Sequence, residues 1–408
     1  MDLTIHPHKL SGTLTIPPSK SQAHRLLLAA GLSQKTCTIS NLSFSEDISA
    51  TLSCLSAMGI PFQQGSDCVT LSPHQSYTSK PHFDCGESGS TLRFFIPIAL
   101  ALCSGGSFTG RGRLMKRPQT PYQILFENKG ILWQQEQDIL TLQGQLTSGS
   151  YSLPGDVSSQ FVTGLLYALP LLNGDSELIL TSALESRGYV DLTLDTLSAF
   201  GIEIEEPSTG HFKIKGNQTY QAQSQTVEGD WSQAGFWYAA NFLDNQVTLQ
   251  GLNTTSKQGD RQVAQYYWTL ARPNTTVELD VSQCPDLVPP LALMAALRSG
   301  TTHLVNAARL RMKESDRLHT VAITLNALGG HVEEQTDSLT IQGVSHLSGG
   351  VTIDCCNDHR IAMMAAIAAT ACQQPITLTG AECVKKSYPN FWAHYQQLGG
   401  ILDGFLLG

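Results

Sequence analysis

The chain of 408 residues is 41% hydrophobic and 14% charged, with a formal net charge of −9. That length and apolar content suffice for two or more buried cores, and the acidic balance argues against a polyanion such as nucleic acid as the main partner. The longest apolar runs, FFIPIALALC and IAMMAAIAATAC, fall short of the roughly 18 to 20 residues that span a bilayer, MDLTIHPHK has no signal-peptide core, and the ten cysteines form no CxxC pair, so a reduced, cytoplasmic protein away from membranes is expected.

In chain order, the first helix signal is SKSQAHRLLLAAGLS, apolar nearly all round beyond its first turn. The strand run TCTISNL follows, and then an amphipathic helix, DISATLSCLSAMGI, that ends at Gly59. The same pairing returns along the chain. SGSTLRFFIPIALALCSGG precedes YQILFENKGI, SSQFVTGLLYALPLLNG and the strand SELILTSAL precede DLTLDTLSAFGIEIE, and SQAGFWYAANFLDN precedes VAQYYWTLAR. PDLVPPLALMAALRSG and the strand THLVNAARL then precede HTVAITLNALGGHVEE, and NDHRIAMMAAIAATA precedes FWAHYQQLGGIL. The glycines that close the amphipathic helices, Gly59, Gly130, Gly201, Gly330 and Gly400, fall about 70 residues apart, except that the interval after Gly201 holds two slightly shortened units. Six copies of one unit result. A helix with little polar surface has to be buried and a striped one covers it from outside, so the expected fold is α/β, built from repeated βαβ-like units in two domains of three.

The polar residues of the buried helices gather at their first turns, in SKSQAHR, ESGSTLR, VSSQF and NDHR. Capping accounts for the hydroxyls and carboxylates. It does not account for the cations, which oppose the helix dipole unless an anion docks there. RGRLMKRPQTP adds four cations in eleven residues without an acid, and RLRMKESDR interleaves Arg309, Arg311, Lys313 and Arg317 with Glu314 and Asp316. Helical spacing would put Lys313 and Arg317 on one face. No Walker or GxGxxG fingerprint and no metal-ligand spacing accompanies these residues, so an anion site without metal or cofactor is expected.

PPSKSQAHR, GESGSTLR, LMKRP, GDVSSQF, SRGYVD, EGDWS, PDLVPPLA, RMKESDRL, NDHRIAM and VKKSYP, in that order, resemble the motifs of the EPSP synthase family of enolpyruvyl transferases. The resemblance implies an inside-out α/β barrel in each of two domains, with three repeated units of buried parallel helices covered by sheets. The boundaries it implies are 1–18 with 229–408, and 19–228, with the active site in the cleft between them. The implied reaction moves the enolpyruvyl group of phosphoenolpyruvate to the 5-hydroxyl of shikimate 3-phosphate, releasing phosphate, in a monomer inhibited by glyphosate.

By the same resemblance Lys20, Asp286 and Glu314 are catalytic. Shikimate 3-phosphate falls to Lys20, Ser21, Arg25, Ser158, Ser159, Gln160, Ser186, Tyr189, Asp286 and Lys313. Phosphoenolpyruvate falls to Lys20, Gly89, Arg93, Arg117, Gln160, Arg317, Arg360 and Lys386. Asp47 and Asp230 match family acids in either a hinge or a substrate-contacting role. Glu87, His24, Arg309 and Phe94 stand where many members of the family carry Asn, Asn, Asn and Pro. The related transferase that acts on UDP-N-acetylglucosamine is the nearest alternative, but it typically has Lys-Asn where this chain has Lys20-Ser21, and a loop Cys absent from GRGRLMKRP.

Overall fold

A computed structural model describes residues 1–404 of the chain. Its α-helices run, in chain order, Lys20–Leu32 (α1), Glu46–Ala57 (α2), Gly89–Leu102 (α3), Thr120–Glu127 (α4), Ser159–Ala168 (α5), Arg187–Ala199 (α6), Trp231–Phe242 (α7), Val263–Leu270 (α8), Val288–Leu297 (α9), Arg317–Ala327 (α10), His359–Ala369 (α11) and Phe391–Gln397 (α12). Odd and even helices differ in kind. Every residue of α11 is buried, and so are Val288–Ala296 of α9, whereas α8 buries only Val263 and Leu270. The odd helices have no solvent face because their sequences offer none, and the even ones cover them with a single stripe. In α9 the Pro-Pro pair falls in the first turn, where backbone N–H groups have no intrahelical acceptor to lose.

The sheets share one pattern. His82–Asp84 runs parallel to Gly105–Thr109, which pairs antiparallel with Ile139–Gln143, itself paired with Leu132–Glu136. The same order of a parallel pair followed by an antiparallel pair recurs in the sheets centred on Ser176–Leu180, Thr301–Val305, Cys37–Ser40 and Ile376–Thr379. Two of these sheets are completed by distant chain. Gln225–Thr226 supplies the parallel partner of Cys37–Ser40, and Leu3–His6 lies between Ile376–Thr379 and Ile401–Asp403.

The sixth sheet is only Ser11–Thr15 parallel to Gln246–Gln250. It lacks the hairpin, because after α8 the chain passes directly into Val277–Asp280. This corrects the expectation of two slightly shortened units after Gly201. The unit that ends in α6 is followed by a full hairpin, Ile204–Ser208 and His211–Ile214, and all of the shortening lies after α8.

Two compact units result, Lys20–Glu228 on one hand and Met1–Ser19 with the chain from Gly229 onward on the other. Each has its own core, one drawing on α1 to α6 and the other on α7 to α12. The two passages between units are held side by side by a bridge between Pro18 and Gly229 and by Asp230 N donating to Pro17 O at 2.9 Å. Among the described residues no helix is long and apolar enough to cross a membrane. The ten cysteines are all free thiols, eight of them buried.

Candidate active site

In the unit of residues 20–228, the first two turns of α1 carry Lys20, Ser21 and Arg25. Lys20 Nζ donates to Asp47 Oδ2 at 2.7 Å. Asp47 stands in the first turn of α2, which Ser45 caps. Arg25 is 2% exposed, and its guanidinium donates to Ser21 O (2.7 Å), Tyr189 O (2.9 Å), Thr193 Oγ1 (2.9 Å) and Thr163 Oγ1 (3.3 Å). It also lies 5.4 Å from the ring centroid of Phe94 and 6.0 Å from that of Tyr189. Burial lowers its pKa to about 10. All of these acceptors are neutral, so a buried cation is held among groups that do not cancel its charge, an arrangement suited to an anionic ligand.

A second group forms where α3 and α5 begin. Ser88 caps α3 and Ser158 caps α5, each side chain accepting from a backbone N–H of its first turn. Gln160 Oε1 accepts from Arg93 Nη1 at 2.7 Å, and Gln160 Nε2 donates to Ser90 Oγ at 2.9 Å. Arg93 also reaches Gln119 Oε1 (3.4 Å) and Pro118 O (3.3 Å) and lies 4.7 Å from the centre of the Phe161 ring. A Cβ on Gly89 would stand 2.8 Å from Arg117 Nη1, 3.3 Å from Gln160 Oε1 and 3.9 Å from Arg93 Nη1, so four expected phosphoenolpyruvate residues converge on one point. Ser159 is buried next to them. Ser186 is buried at the start of α6 in a left-handed conformation (φ 56°), and Tyr189 follows it to supply the carbonyl that holds Arg25.

The other unit gathers charges of both signs. Asp286 lies in the 3-10 turn Pro285–Leu287 ahead of α9 and makes no side-chain cap there. Its carboxylate accepts from Arg317 Nη1 (3.0 Å), Arg360 Nη2 (3.0 Å) and Lys313 Nζ (3.4 Å), and its carbonyl accepts from Arg360 Nη1 (3.0 Å). Arg317, 1% exposed, also donates to Glu314 and to Asp358, with Nε 2.9 Å from Asp358 Oδ2. Asp358 is fully buried, caps α11 through Arg360 N and accepts from Ser315 Oγ at 2.9 Å. Lys386 Nζ donates to Asn357 O at 2.7 Å.

Burial alone would raise the Asp286 carboxyl, but Arg360, Lys313 and Arg317 together hold it well below the usual carboxylate range. Burial lowers the Lys313 ammonium, and Asp286 only partly restores it. Asp286 is thus an ionised, acceptor-only group able to orient a hydroxyl, with cations beside it that can turn to an incoming anion.

Helical spacing does not explain the Lys313–Arg317 pair. Lys313 is extended (φ −88°, ψ −161°) after the 3-10 turn Ala308–Met312, and α10 begins only at Arg317. The two cations meet through Asp286 rather than along a helix face. RLRMKESDR therefore serves two ends: Arg311 faces outward to Asp316 (3.0 Å) and Glu334 (2.8 Å), while Lys313, Glu314 and Arg317 belong to the Asp286 cluster. Asp47 is the partner of Lys20, and Asp230 caps α7. Sequence reasoning read Asp358 only as a helix-opening polar residue of NDHR and missed that it joins Arg317 to α11. Thr163, Thr193 and Gln119 were missed as well, since single polar residues in apolar segments give no spacing signal. Among the described residues no group of His, Cys, Asp and Glu could hold a metal ion.

Residues 5–395 match the family described as EPSP synthase (3-phosphoshikimate 1-carboxyvinyltransferase). The chain is 45% identical to the 3-phosphoshikimate 1-carboxyvinyltransferase of Clostridium kluyveri, covering 100% of this chain and 99% of that protein. The Clostridioides difficile protein of the same name is 42% identical over the same shares. The fold is similar to that of EPSP synthase from Acinetobacter baumannii (TM-score 0.79, 24% identity, 98% of this chain and 99% of that one). It is also similar to that of the enolpyruvyl transferase NikO from Streptomyces tendae (TM-score 0.78, 16% identity, 98% of each chain). A match this long, on a chain whose repeated units bring the family's motifs into two charged clusters, makes this protein a member of the EPSP synthase family.

Proposed function

We propose that this chain catalyses the family's reaction, the transfer of the enolpyruvyl group of phosphoenolpyruvate to the 5-hydroxyl of shikimate 3-phosphate. The hydroxyl oxygen bonds to the central carbon of phosphoenolpyruvate while the methylene carbon gains a proton, and the tetrahedral adduct then loses that proton and expels phosphate. Asp286, kept ionised by three cations, orients the acceptor hydroxyl and takes its proton. Glu314, held by Arg317, exchanges the proton at the methylene carbon. Two carboxylates in different surroundings suit such opposed tasks, and this pairing carries the reading.

Ser21, Arg25, Ser158, Ser159, Gln160, Ser186, Tyr189 and Lys313 hold shikimate 3-phosphate. Gly89, Arg93, Arg117, Gln160, Arg317, Arg360 and Lys386 hold phosphoenolpyruvate, and Lys20 touches both substrates. The chain crosses between the units near Pro18 and Gly229. The protein works as a cytoplasmic monomer without cofactor, and glyphosate competes with phosphoenolpyruvate. The deciding experiment measures phosphate release from phosphoenolpyruvate by purified protein with either shikimate 3-phosphate or UDP-N-acetylglucosamine as acceptor. Turnover is expected with the first only, and turnover with only the sugar nucleotide would refute the assignment.

A further inference from the structure

One turn after Lys20 on α1 stands His24, 1% exposed and edge-on to the Phe94 ring at 6.5 Å between centroids. Its Nδ1 lies 2.7 Å from Thr51 Oγ1 on α2, and Thr51 Oγ1 lies 2.8 Å from Thr91 Oγ1 on α3. Thr91 Oγ1 donates at 2.8 Å to Ser88 Oγ, the cap of α3. Each hydroxyl has a single proton to give. That of Thr91 is spent on Ser88, so Thr91 accepts from Thr51; that of Thr51 is then spent, so Thr51 accepts from His24. The chain therefore runs one way, and His24 carries its proton on Nδ1. Nε2, the bare nitrogen, is buried with no hydrogen-bond partner among the described residues. Burial first, and then the charges of Lys20 and Arg25, push the ring's pKa well below its usual value, so the imidazole stays neutral.

The contact has a companion rung. Asp47, one turn before Thr51 on α2, accepts from Lys20, one turn before His24 on α1. Two rungs fix the register of α1 against α2, and the second continues into the turn of α3 that carries Gly89 and, one turn on, Arg93.

We propose that His24 is a positioning residue for the phosphoenolpyruvate site: as an Nδ1–H donor it heads a one-way chain through Thr51 and Thr91 to Ser88 that sets Gly89 and Arg93 relative to Lys20. The inference rests on the enolpyruvyl-transfer reading for the identity of the ligand. His24 itself touches no substrate and transfers no proton.

Asn and Gln separate this role from mere space filling, because the Asn amide nitrogen falls where Nδ1 stands and that of Gln where Nε2 stands. His24→Gln and His24→Ala should raise KM for phosphoenolpyruvate roughly tenfold, the usual consequence of a buried hydroxyl left without its donor, with kcat and KM for shikimate 3-phosphate changing several-fold less. His24→Asn should recover most of that loss. Nitrogen NMR of histidine-labelled wild-type protein without ligands should show a neutral His24 ring protonated on Nδ1. A ring protonated on Nε2, an Asn variant as impaired as the Gln variant, or a loss confined to kcat would overturn the proposal. If the Gln and Ala variants give no cooperative melt, the tautomer in the wild-type protein decides. Absence of wild-type turnover with shikimate 3-phosphate would refute the functional reading instead, and the ring tautomer would still be read independently.

Discussion

Adding one methyl group at Gly89 tests the anion cradle directly. Gly89 directly follows Ser88, the cap of α3, and its φ lies outside the left-handed region, so the backbone accepts alanine and the helix gains slightly, by about 0.5 to 1 kcal/mol. The side-chain surroundings are less tolerant. The new Cβ would lie 2.8 Å from Arg117 Nη1, about 0.6 Å short of the 3.4 Å at which ordinary contact begins. Arg117 is contacted at its flexible end and yields, but in yielding it changes the space it shares with Gln160 and Arg93. Overfilling a fitted pocket by one carbon costs a ligand about 1 to 3 kcal/mol, or roughly 5- to 150-fold in affinity. In the proposed site glyphosate, longer than phosphoenolpyruvate, fills that space more fully. Gly89→Ala should therefore raise the glyphosate inhibition constant about tenfold or more and KM for phosphoenolpyruvate several-fold less, with the melting temperature unchanged or slightly higher. Phosphate-release kinetics with both ligands varied, together with a thermal melt, provide the assay. Equal factors in both constants, or a drop of several degrees, would refute the argument and make Gly89 a backbone requirement.

Three further changes separate binding, chemistry and stability in the Asp286 cluster. Glu314→Gln keeps an acceptor for Arg317 but removes the exchangeable acid, so kcat should fall by roughly 10² with shikimate 3-phosphate binding nearly unchanged, whereas Arg360→Ala should act mainly on KM for phosphoenolpyruvate. Small, equal effects on both constants in the Glu314 variant would remove it from proton transfer. Asp286→Asn should destabilise its unit by about 3 kcal/mol at pH 7, because three cations lose a partly buried partner. The folded-state pKa of Asp286 is depressed, so its contribution is fully present above the ordinary carboxylate pKa and is lost as pH falls through the folded value. Urea unfolding from pH 7 to 3 should show a constant gap between wild type and variant down to about pH 4 and a shrinking gap below. A gap already closing between pH 7 and 5 would contradict the depressed pKa.

The repeat, the alternation of buried and covering helices, and the cation-bearing first turns are local facts of hydrophobic period and capping, and they were legible in the sequence. Helices such as IAMMAAIAATA admit only burial, and SKSQAHR and ESGSTLR place cations against the helix dipole, the signal on which the proposed anion site rests. The family followed from ordered motifs. Tertiary structure decided what depends on pairing across long separations. Leu3–His6 completes the sheet of Ile376–Thr379, and the unit ending in α8 loses its hairpin entirely. Nothing local distinguishes a strand that pairs with its neighbour from one that pairs at the far end of the chain. The same holds at the site. Lys313 and Arg317 meet at Asp286 across a break in the helix, and Asp358 joins two helices. The proton of His24 is assigned by two threonines on other helices. Spacing along a chain reports which residues share a face, but a carboxylate's charge and an imidazole's tautomer are set by neighbours that the fold brings together through space.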